Sequence, residues 1–294
     1  VRVLITGGSG RLGSSVVERF VADGHAVTVV DTAAAVVPGA RLVRADLTDA
    51  GAVFDVIGTA RPDAVVHLAG LATPFGHPEH VLFAVNSQLA FDVCQAAAVT
   101  GVAAVVCASS PTVIGYGNPR GWTPAHLPLD ETHPVAPWHA YAMAKVAIET
   151  VVRGFAVQAG DATRFFAFRP CYVVTPEEWR GDVITQQGHT MRQRLANPAL
   201  AAPSLFNYVD ARDAASFVAM LVGRAASVPN GETFFVGAAD ALSEQAVPDV
   251  LGRYHPGTVP YLRDLDATAS LFDVGRAARL VGWVPERSWR NELC

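Results

Sequence analysis

The chain has 294 residues, of which 51% are hydrophobic and 17% charged, with a mean hydropathy of +0.27 and a formal net charge of −5. Such a composition builds a large core rather than a disordered chain, and the length suits one large domain or a main domain with a smaller lobe. No stretch is strongly basic, so no nucleic-acid partner is expected, and no apolar run reads as a membrane span.

Residues 1–6 (VRVLIT) read as a buried strand. Residues 12–23 read as a helix with Leu12, Val16, Val17 and Phe20 on one face. Further strands are expected at 26–30, 41–44, 64–68, 102–108 and 164–169. They alternate with helices at 49–58, 79–100 and 141–157. This alternation specifies an α/β fold, a Rossmann-type doubly wound parallel sheet with helices on both faces. After Pro170 the rhythm loosens, although 210–221 still reads as a helix and 233–236 as a strand. Cys94, Cys107, Cys171 and Cys294 form no CxxC pair and no spacing with histidine that suggests a metal site. They read as thiols of a reducing compartment, and no signal peptide precedes the first strand, so the expected location is cytoplasmic.

The segment Thr6-Gly7-Gly8-Ser9-Gly10-Arg11-Leu12-Gly13 leaves the first strand and opens the first helix. Gly7 permits a tight turn, Gly10 lets a pyrophosphate approach the backbone, and Gly13 lets helix and strand pack closely. The helix start, with Arg11 and Leu12, offers N–H groups and a positive dipole end to phosphates. Asp31 ends the second strand, where a carboxylate accepts hydrogen bonds from ribose hydroxyls and repels a 2′-phosphate, which favours NAD over NADP. Arg11 complicates that preference if it swings toward the ribose. Asp46, followed by Leu47, either meets the adenine amino group or caps the helix beginning near Asp49. The expected organisation is an NAD-binding domain over 1–170, to which some later segments return, and a mainly substrate-binding lobe over 171–294.

Tyr141-Ala-Met-Ala-Lys145 lies on a helical pattern, so both side chains share a face one turn apart. An ammonium near a phenol lowers its pKa from about 10, and the tyrosine then exchanges a proton with a substrate hydroxyl during hydride transfer. Ser110 stands at the carboxyl end of a central strand, where it either holds the substrate oxygen or forms a Ser-Pro turn.

Taken in order, TGGSGRLG, Asp31, His67-Leu68-Ala69-Gly70, Asn86 in VNSQLAFDVCQAA, SSPTVIG, YAMAK and Phe168-Arg169-Pro170 resemble the extended short-chain dehydrogenase/reductase family, also called the NAD-dependent epimerase/dehydratase family. The likeness continues through YVDARDAA to LVGWVPERSW. It implies Ser110, Tyr141 and Lys145 as catalytic residues, with the lysine also contacting the nicotinamide ribose. It makes Leu68, Ala69 and Gly70 a wall of the NAD site and adds Asn86, Pro170 and Val173 to the cofactor contacts. It also implies a homodimer through the helices around 79–100 and 140–157.

Three departures bear on the substrate. Sugar-nucleotide members carry an Asn after the sixth strand, and Tyr172 stands there. They tend to place an Arg ahead of the YIHVxD-like segment, and Phe206 stands at or near it. Neutral aromatics do not replace a guanidinium that clamps a diphosphate. Dehydratase members carry an Asp-Glu pair where Pro111-Thr112 stands. The leading expectation is therefore NAD-dependent interconversion of a secondary alcohol and ketone on a small polar or sugar-like substrate. A nucleotide-sugar 4-epimerase with tightly held NAD is the alternative, with Arg263, Arg212 or Arg192 supplying the diphosphate contact. A non-catalytic NAD sensor or scaffold is a third reading. Trp122, His126, Trp138, His139, Trp179 and Arg180 are candidates for the lobe lining.

Overall fold

The computed structural model describes residues 1–33 and 37–293, so Cys294 lies outside the described residues. In chain order the first half runs β1 (Arg2–Thr6), α1 (Arg11–Ala22), β2 (Ala26–Asp31), β3 (Arg41–Arg44), α2 (Ala50–Ala60), β4 (Ala64–His67), α3 (Glu79–Thr100) and β5 (Ala104–Ala108). It continues through α4 (Ala140–Ala159), β6 (Arg164–Pro170), β7 (Val173–Val174), α5 (Met191–Ala196), α6 (Pro198–Ala201), β8 (Val209–Asp210) and α7 (Ala211–Gly223). The last elements are β9 (Thr233–Val236), α8 (Val247–Tyr254), α9 (Gly275–Val281) and α10 (Trp289–Glu292).

Seven parallel strands form one sheet in the order β3-β2-β1-β4-β5-β6-β9. Strands β1, β4 and β5 are apolar nearly end to end because helices cover both faces. On one face Val16, Val17 and Phe20 of α1 share a core with Phe217 and Leu221 of α7 and with Trp283. On the other, Val93 and Ala97 of α3 pack with Ile148, Val152 and Phe155 of α4. Helix α3 is long and apolar enough, by length and composition, to cross a membrane; half of that stretch is buried in this core, so it serves as a packing helix. Helix α2 is capped by Asp49, whose side chain accepts from the Gly51 N–H, and the capping role weighed for Asp46 therefore belongs to Asp49.

Strand β9 pairs with β6 through Ala167↔Thr233 and Phe168↔Phe234, so part of the later chain completes the main sheet. What remains for the lobe is built around a two-stranded sheet of β7 and β8 with α5, α6 and α8 nearby.

The chain builds outward from β1 in one direction, then returns to place β4 on β1's other side. That reversal leaves a crevice beyond the carboxyl ends of β1 and β4, the place where ligands of open α/β sheets bind. Thr6 and His67 end the two strands side by side. Thr6 Oγ1 accepts from the Ala69 N–H at 3.2 Å and shares a second hydrogen bond with His67 Nδ1 at 2.8 Å. Burial pushes the imidazole down to about 3, with Lys145 adding to the effect, so His67 is a neutral structural tie.

Candidate active site

One cleft of about 1200 Å³ runs from the β2–β3 end of the crevice to the lobe. It exceeds the ~300–1,000 Å³ of a typical single-ligand pocket, which leaves room for a dinucleotide and a second molecule. Every proposed cofactor residue except Asn86 lines it: Gly7, Gly10, Arg11, Leu12, Gly13, Asp31, Asp46, Leu47, Leu68, Ala69, Gly70, Tyr141, Lys145, Pro170 and Val173.

The residues fit a dinucleotide at the level of the backbone. Gly7 has φ +70°, and a Cβ there would sit 2.7 Å from the Ala69 nitrogen; one at Gly13 would sit 2.1 Å from the Gly7 carbonyl oxygen. Only glycine permits both the turn and the close helix start. Gly10 caps α1 without a side chain, so the first-turn N–H groups open toward the cleft. The Asp31 carboxylate accepts from the Ser9 N–H and the Ala33 N–H, each at 3.0 Å, which fixes its rim beside the cleft. Asp46 accepts from the Thr48 N–H and hydroxyl, which hold its carboxyl below its ordinary pKa and keep it charged at the cleft edge.

Two expected cofactor residues are occupied elsewhere. Arg11 does not swing toward the ribose: its guanidinium grips both oxygens of Glu178, at 2.8 and 2.6 Å, and the Val173 carbonyl at 3.0 Å. Glu178 is buried, so this two-pronged pair ties the start of α1 to the lobe. Asn86 accepts from the Leu71 N–H at 2.8 Å and donates to the Leu71 carbonyl at 3.1 Å. Its amide shapes the loop behind the Leu68–Gly70 wall rather than facing the cleft.

We predict that Asp31→Ser weakens NAD binding about tenfold or more, the usual loss for a hydrogen bond to a charged group, while NADP binding strengthens. Fluorescence titration of both dinucleotides measures it. An unchanged ratio of the two Kd values would remove Asp31 from the ribose site.

The proposed catalytic residues converge. Ser110 leaves β5 and caps a short 3-10 turn over Pro111–Ile114. Its Oγ accepts from the Thr112 N–H at 3.2 Å and from the Thr112 hydroxyl at 2.9 Å. With those lone pairs engaged, its own proton points away from Thr112, and Tyr141 lines the same cleft. Helix α4 begins at Ala140, capped by His139, whose Nδ1 accepts from the Ala142 N–H; this sets Tyr141 in the first turn and Lys145 one turn later. The turn and hydroxyl readings of Ser110 are thus compatible.

The electrostatics depart from the expected activation of the phenol. Burial pushes Tyr141 up to about 12, and the Ser110 hydrogen bond opposes this only in part. The Lys145 ammonium lies 5.4 Å from the tyrosine ring centroid and donates to the Ala108 carbonyl at 2.8 Å instead. Burial also lowers Lys145 to about 8, against the pull of Cys107 and Glu149. Tyr141 is therefore a neutral phenol at pH 7 in this structure. The i, i+4 spacing alone does not report how much solvent the fold removes from both groups.

Behind Lys145 lies a buried ionic group that sequence reasoning missed. Arg169 donates through Nε and Nη2 to the two oxygens of Glu149, both at 2.8 Å, and the Ser109 hydroxyl donates to the same carboxylate at 2.6 Å. Glu149 falls one further turn along α4 from Lys145; a glutamate on an otherwise apolar face was the available signal. Thr112 was also missed, though its i, i+2 spacing from Ser110 is a hydroxyl-turn pattern.

At the lobe end, Gln186, Gln187, Pro203, Ser204, Asn207 and Tyr172 line the cleft. Trp138 and His139 also line it, whereas Trp122, His126, Trp179 and Arg180 do not. Trp179 is buried and donates to Asp210 at 2.7 Å. Phe206 is fully buried beneath the lobe. Among the described residues, Arg11 and Lys145 are the only arginine and lysine that line the cleft. Arg212 is committed to Asp210 and Glu292, and Arg192 and Arg263 are exposed outside the cleft.

Comparison with known proteins gives a match between residues 3–237 and the model of the NAD dependent epimerase/dehydratase family. A UDP-glucose 4-epimerase of Mycolicibacterium smegmatis is 27% identical over 97% of this chain and 94% of its own length. One from Lacticaseibacillus casei is 24% identical over 96% and 91%. Among solved structures, a UDP-glucose-4-epimerase from Stenotrophomonas maltophila with bound NAD and formylated UDP-arabinopyranose superposes with a TM-score of 0.74 at 20% identity, covering 99% of this chain and 95% of that one. A short-chain dehydrogenase/reductase superfamily protein from Agrobacterium tumefaciens with bound NAD gives 0.73 at 22% identity, covering 100% and 95%.

Proposed function

This chain belongs to the NAD-dependent epimerase/dehydratase family, and from that premise we propose that it oxidises a secondary alcohol of a sugar substrate and returns the hydride to the opposite face, as a nucleotide-sugar 4-epimerase does. It is an enzyme of the short-chain dehydrogenase/reductase superfamily, and its cofactor is NAD. The observation that carries the proposal is the gathering of Ser110, held by the Thr112 hydroxyl, with Tyr141 and Lys145 on the wall of one cleft large enough for cofactor and sugar together. The names of the full-length relatives favour the epimerase form.

Bound NAD supplies the hydride acceptor. The chain's own residues do the rest. The α1 start and the Gly7–Gly10 turn hold the pyrophosphate, Asp31 holds the adenosine ribose, and Leu68–Gly70 close one wall. Ser110 and Tyr141 bracket the carbinol oxygen, and Tyr141 takes its proton as the C–H bond breaks. Lys145 supplies positive charge near the phenol and offsets the burial that otherwise keeps it protonated. Purified protein should hold NAD, and should interconvert UDP-glucose and UDP-galactose without accumulating NADH. A protein that binds no NAD, or converts no sugar, would overturn the reading.

A specific observation favours a second reading, net oxidation of a smaller sugar with release of NADH. Phe206 is buried where the relevant family members tend to place an arginine, and among the described residues no arginine or lysine besides Arg11 and Lys145 lines the cleft. NADH accumulating with free sugars, and no conversion of UDP-sugars, would select it.

We also propose a homodimer through α3 and α4, which pack side by side and expose Phe83, Phe91, Val99, Met143 and Val157. Phe91→Glu combined with Val157→Glu is expected to halve the mass measured by light scattering. The same mass for variant and parent would exclude this face.

A further inference from the structure

Arg11 faces two ways. As the first residue of α1, its backbone N–H has no partner within the helix and belongs to the first-turn donors that open toward the cleft. Its side chain runs to the lobe, where Nη1 and Nη2 donate to the two oxygens of Glu178 and Nη2 also donates to the Val173 carbonyl. A single residue thus joins the pyrophosphate turn to the lobe.

The far end of this link is tightly built. Glu178 opens a short 3-10 turn, Glu178–Arg180. Its Oε2 also accepts from the Thr175 N–H at 2.9 Å, and its own N–H donates to the Thr175 carbonyl at 3.0 Å. The next residue, Trp179, is buried and donates its indole N–H to Asp210, the residue that caps α7. A few residues on, Gln186 and Gln187 line the lobe end of the cleft, and Gln187 accepts from the buried Arg194 of α5. Glu178 therefore stands between β7, the α7 cap and a turn that shapes the cleft.

The chemistry of the pair makes the link directional. A planar guanidinium set on both oxygens of a carboxylate fixes orientation as well as distance. A pair of this kind gains little net stability over apolar residues of the same volume, so register is what it contributes. Burial also decides whether the guanidinium leaves Glu178 for an arriving pyrophosphate. The Glu178 side chain is 2% exposed against 32% for Arg11, so departure would strand a buried carboxylate, and Arg11 stays.

We infer that Arg11 and Glu178 are positioning residues that couple the two ends of the cleft. NAD seated on the start of α1 fixes Arg11, and Arg11 holds residues 174–181 in the arrangement that completes the lobe end. Cofactor and substrate then tighten one another, since such coupling is reciprocal. The coupling needs the NAD site alone and does not depend on the sugar chemistry proposed above.

Hydrogen exchange of the full chain, followed by mass spectrometry with and without saturating NAD, tests it. Residues 170–173 and 186–187 line the cleft, whereas 174–181 are not among the described residues that line it, so slowing at 174–181 reports transmission rather than contact. In the parent, NAD should slow exchange there about fivefold or more, the lower end of usual coupling. Glu178→Gln keeps the shape of the side chain and an acceptor for the Thr175 N–H but removes the charge. In that variant NAD should still slow exchange at residues 7–13, while its effect at 174–181 disappears. Arg11→Lys keeps the charge and the backbone N–H but replaces the fork by a point contact, and its effect should fall between the two. No slowing at 174–181 in the parent, a result that needs no variant, would overturn the coupling. Faster exchange there on adding NAD would do so as well, because it would mean that Arg11 deserts Glu178 for the phosphates. Faster exchange in Glu178→Gln with an undiminished effect of NAD would reduce the pair to a static tie. Coupling without sugar turnover would leave the coupling standing and remove the proposed reaction, whereas turnover without coupling would do the reverse.

Discussion

Tyr141→Phe is expected to lower kcat by about 100- to 10,000-fold, the range for loss of a positioned general acid–base group, with NAD affinity within a few-fold of the parent. Burial holds the phenol proton on the oxygen up to about pH 12, so Tyr141 must first give it up to solvent before the phenolate can take the carbinol proton. The phenylalanine keeps the ring against Lys145 and His139, so the cleft keeps its shape. Single-turnover kinetics with a reactive sugar, beside an NAD titration, separate chemistry from binding. Turnover within a few-fold of the parent would assign the proton transfer to another group, and loss of NAD binding would mean that the ring serves the cofactor site instead. Lys145 sets the direction of the pH dependence. Its pKa is lowered to about 8, so its charge, present below that value, is lost as the pH rises through it. Because the folded-state value lies below the usual lysine value of 10.5, the unfolded chain binds more protons between the two, so the stability of the cofactor-free protein should rise with pH across that window and Lys145→Met should erase the rise.

The sheet was legible because its strands are buried on both faces and read as unbroken apolar runs, such as AVVH and AVVCA. The turn from β1 into α1 was legible because backbone geometry demands glycine at Gly7 and Gly13, whatever the rest of the chain does. Tyr141 and Lys145 were legible as a pair because both lie on one helix. What escaped depends on residues far apart in sequence. Arg11 is held by Glu178, 167 positions away, and no local pattern announces that grip. Asn86 is drawn to the Leu71 backbone by a loop whose path the sequence leaves open. The direction of the Tyr141 shift follows from how deeply the finished fold buries the ring, and the spacing YxxxK carries no information on depth. The lobe was least legible, since its short strands pair only two residues each and its lining comes from separate turns.

The second large effect concerns the ion pair behind the site. Glu149→Ala should destabilise the protein by about 3–5 kcal/mol, the usual result of breaking a buried pair by removing one partner. Against a typical total of about 5–15 kcal/mol this is a large fraction. The loss is large because Arg169 is itself 3% exposed, with Nη1 already unpartnered and Cζ 4.9 Å from the Phe235 ring centroid, so no water replaces the carboxylate. Ser109 would lose its acceptor in the same step. The pair nonetheless brings little net stability, because desolvating two charges offsets most of their attraction. The double variant Glu149→Leu with Arg169→Met should therefore recover most of the stability lost by Glu149→Ala alone, as measured by denaturant unfolding. It should not recover activity. Glu149 helps to hold the charge on Lys145, so without it the lysine pKa falls further below 8 and the positive charge beside Tyr141 is lost near neutral pH. A double variant that is both stable and fully active would reduce Glu149 and Arg169 to packing. One that is stable with its activity optimum moved to lower pH would make Glu149 a positioning residue acting through Lys145, with stability and chemistry carried separately by the same carboxylate.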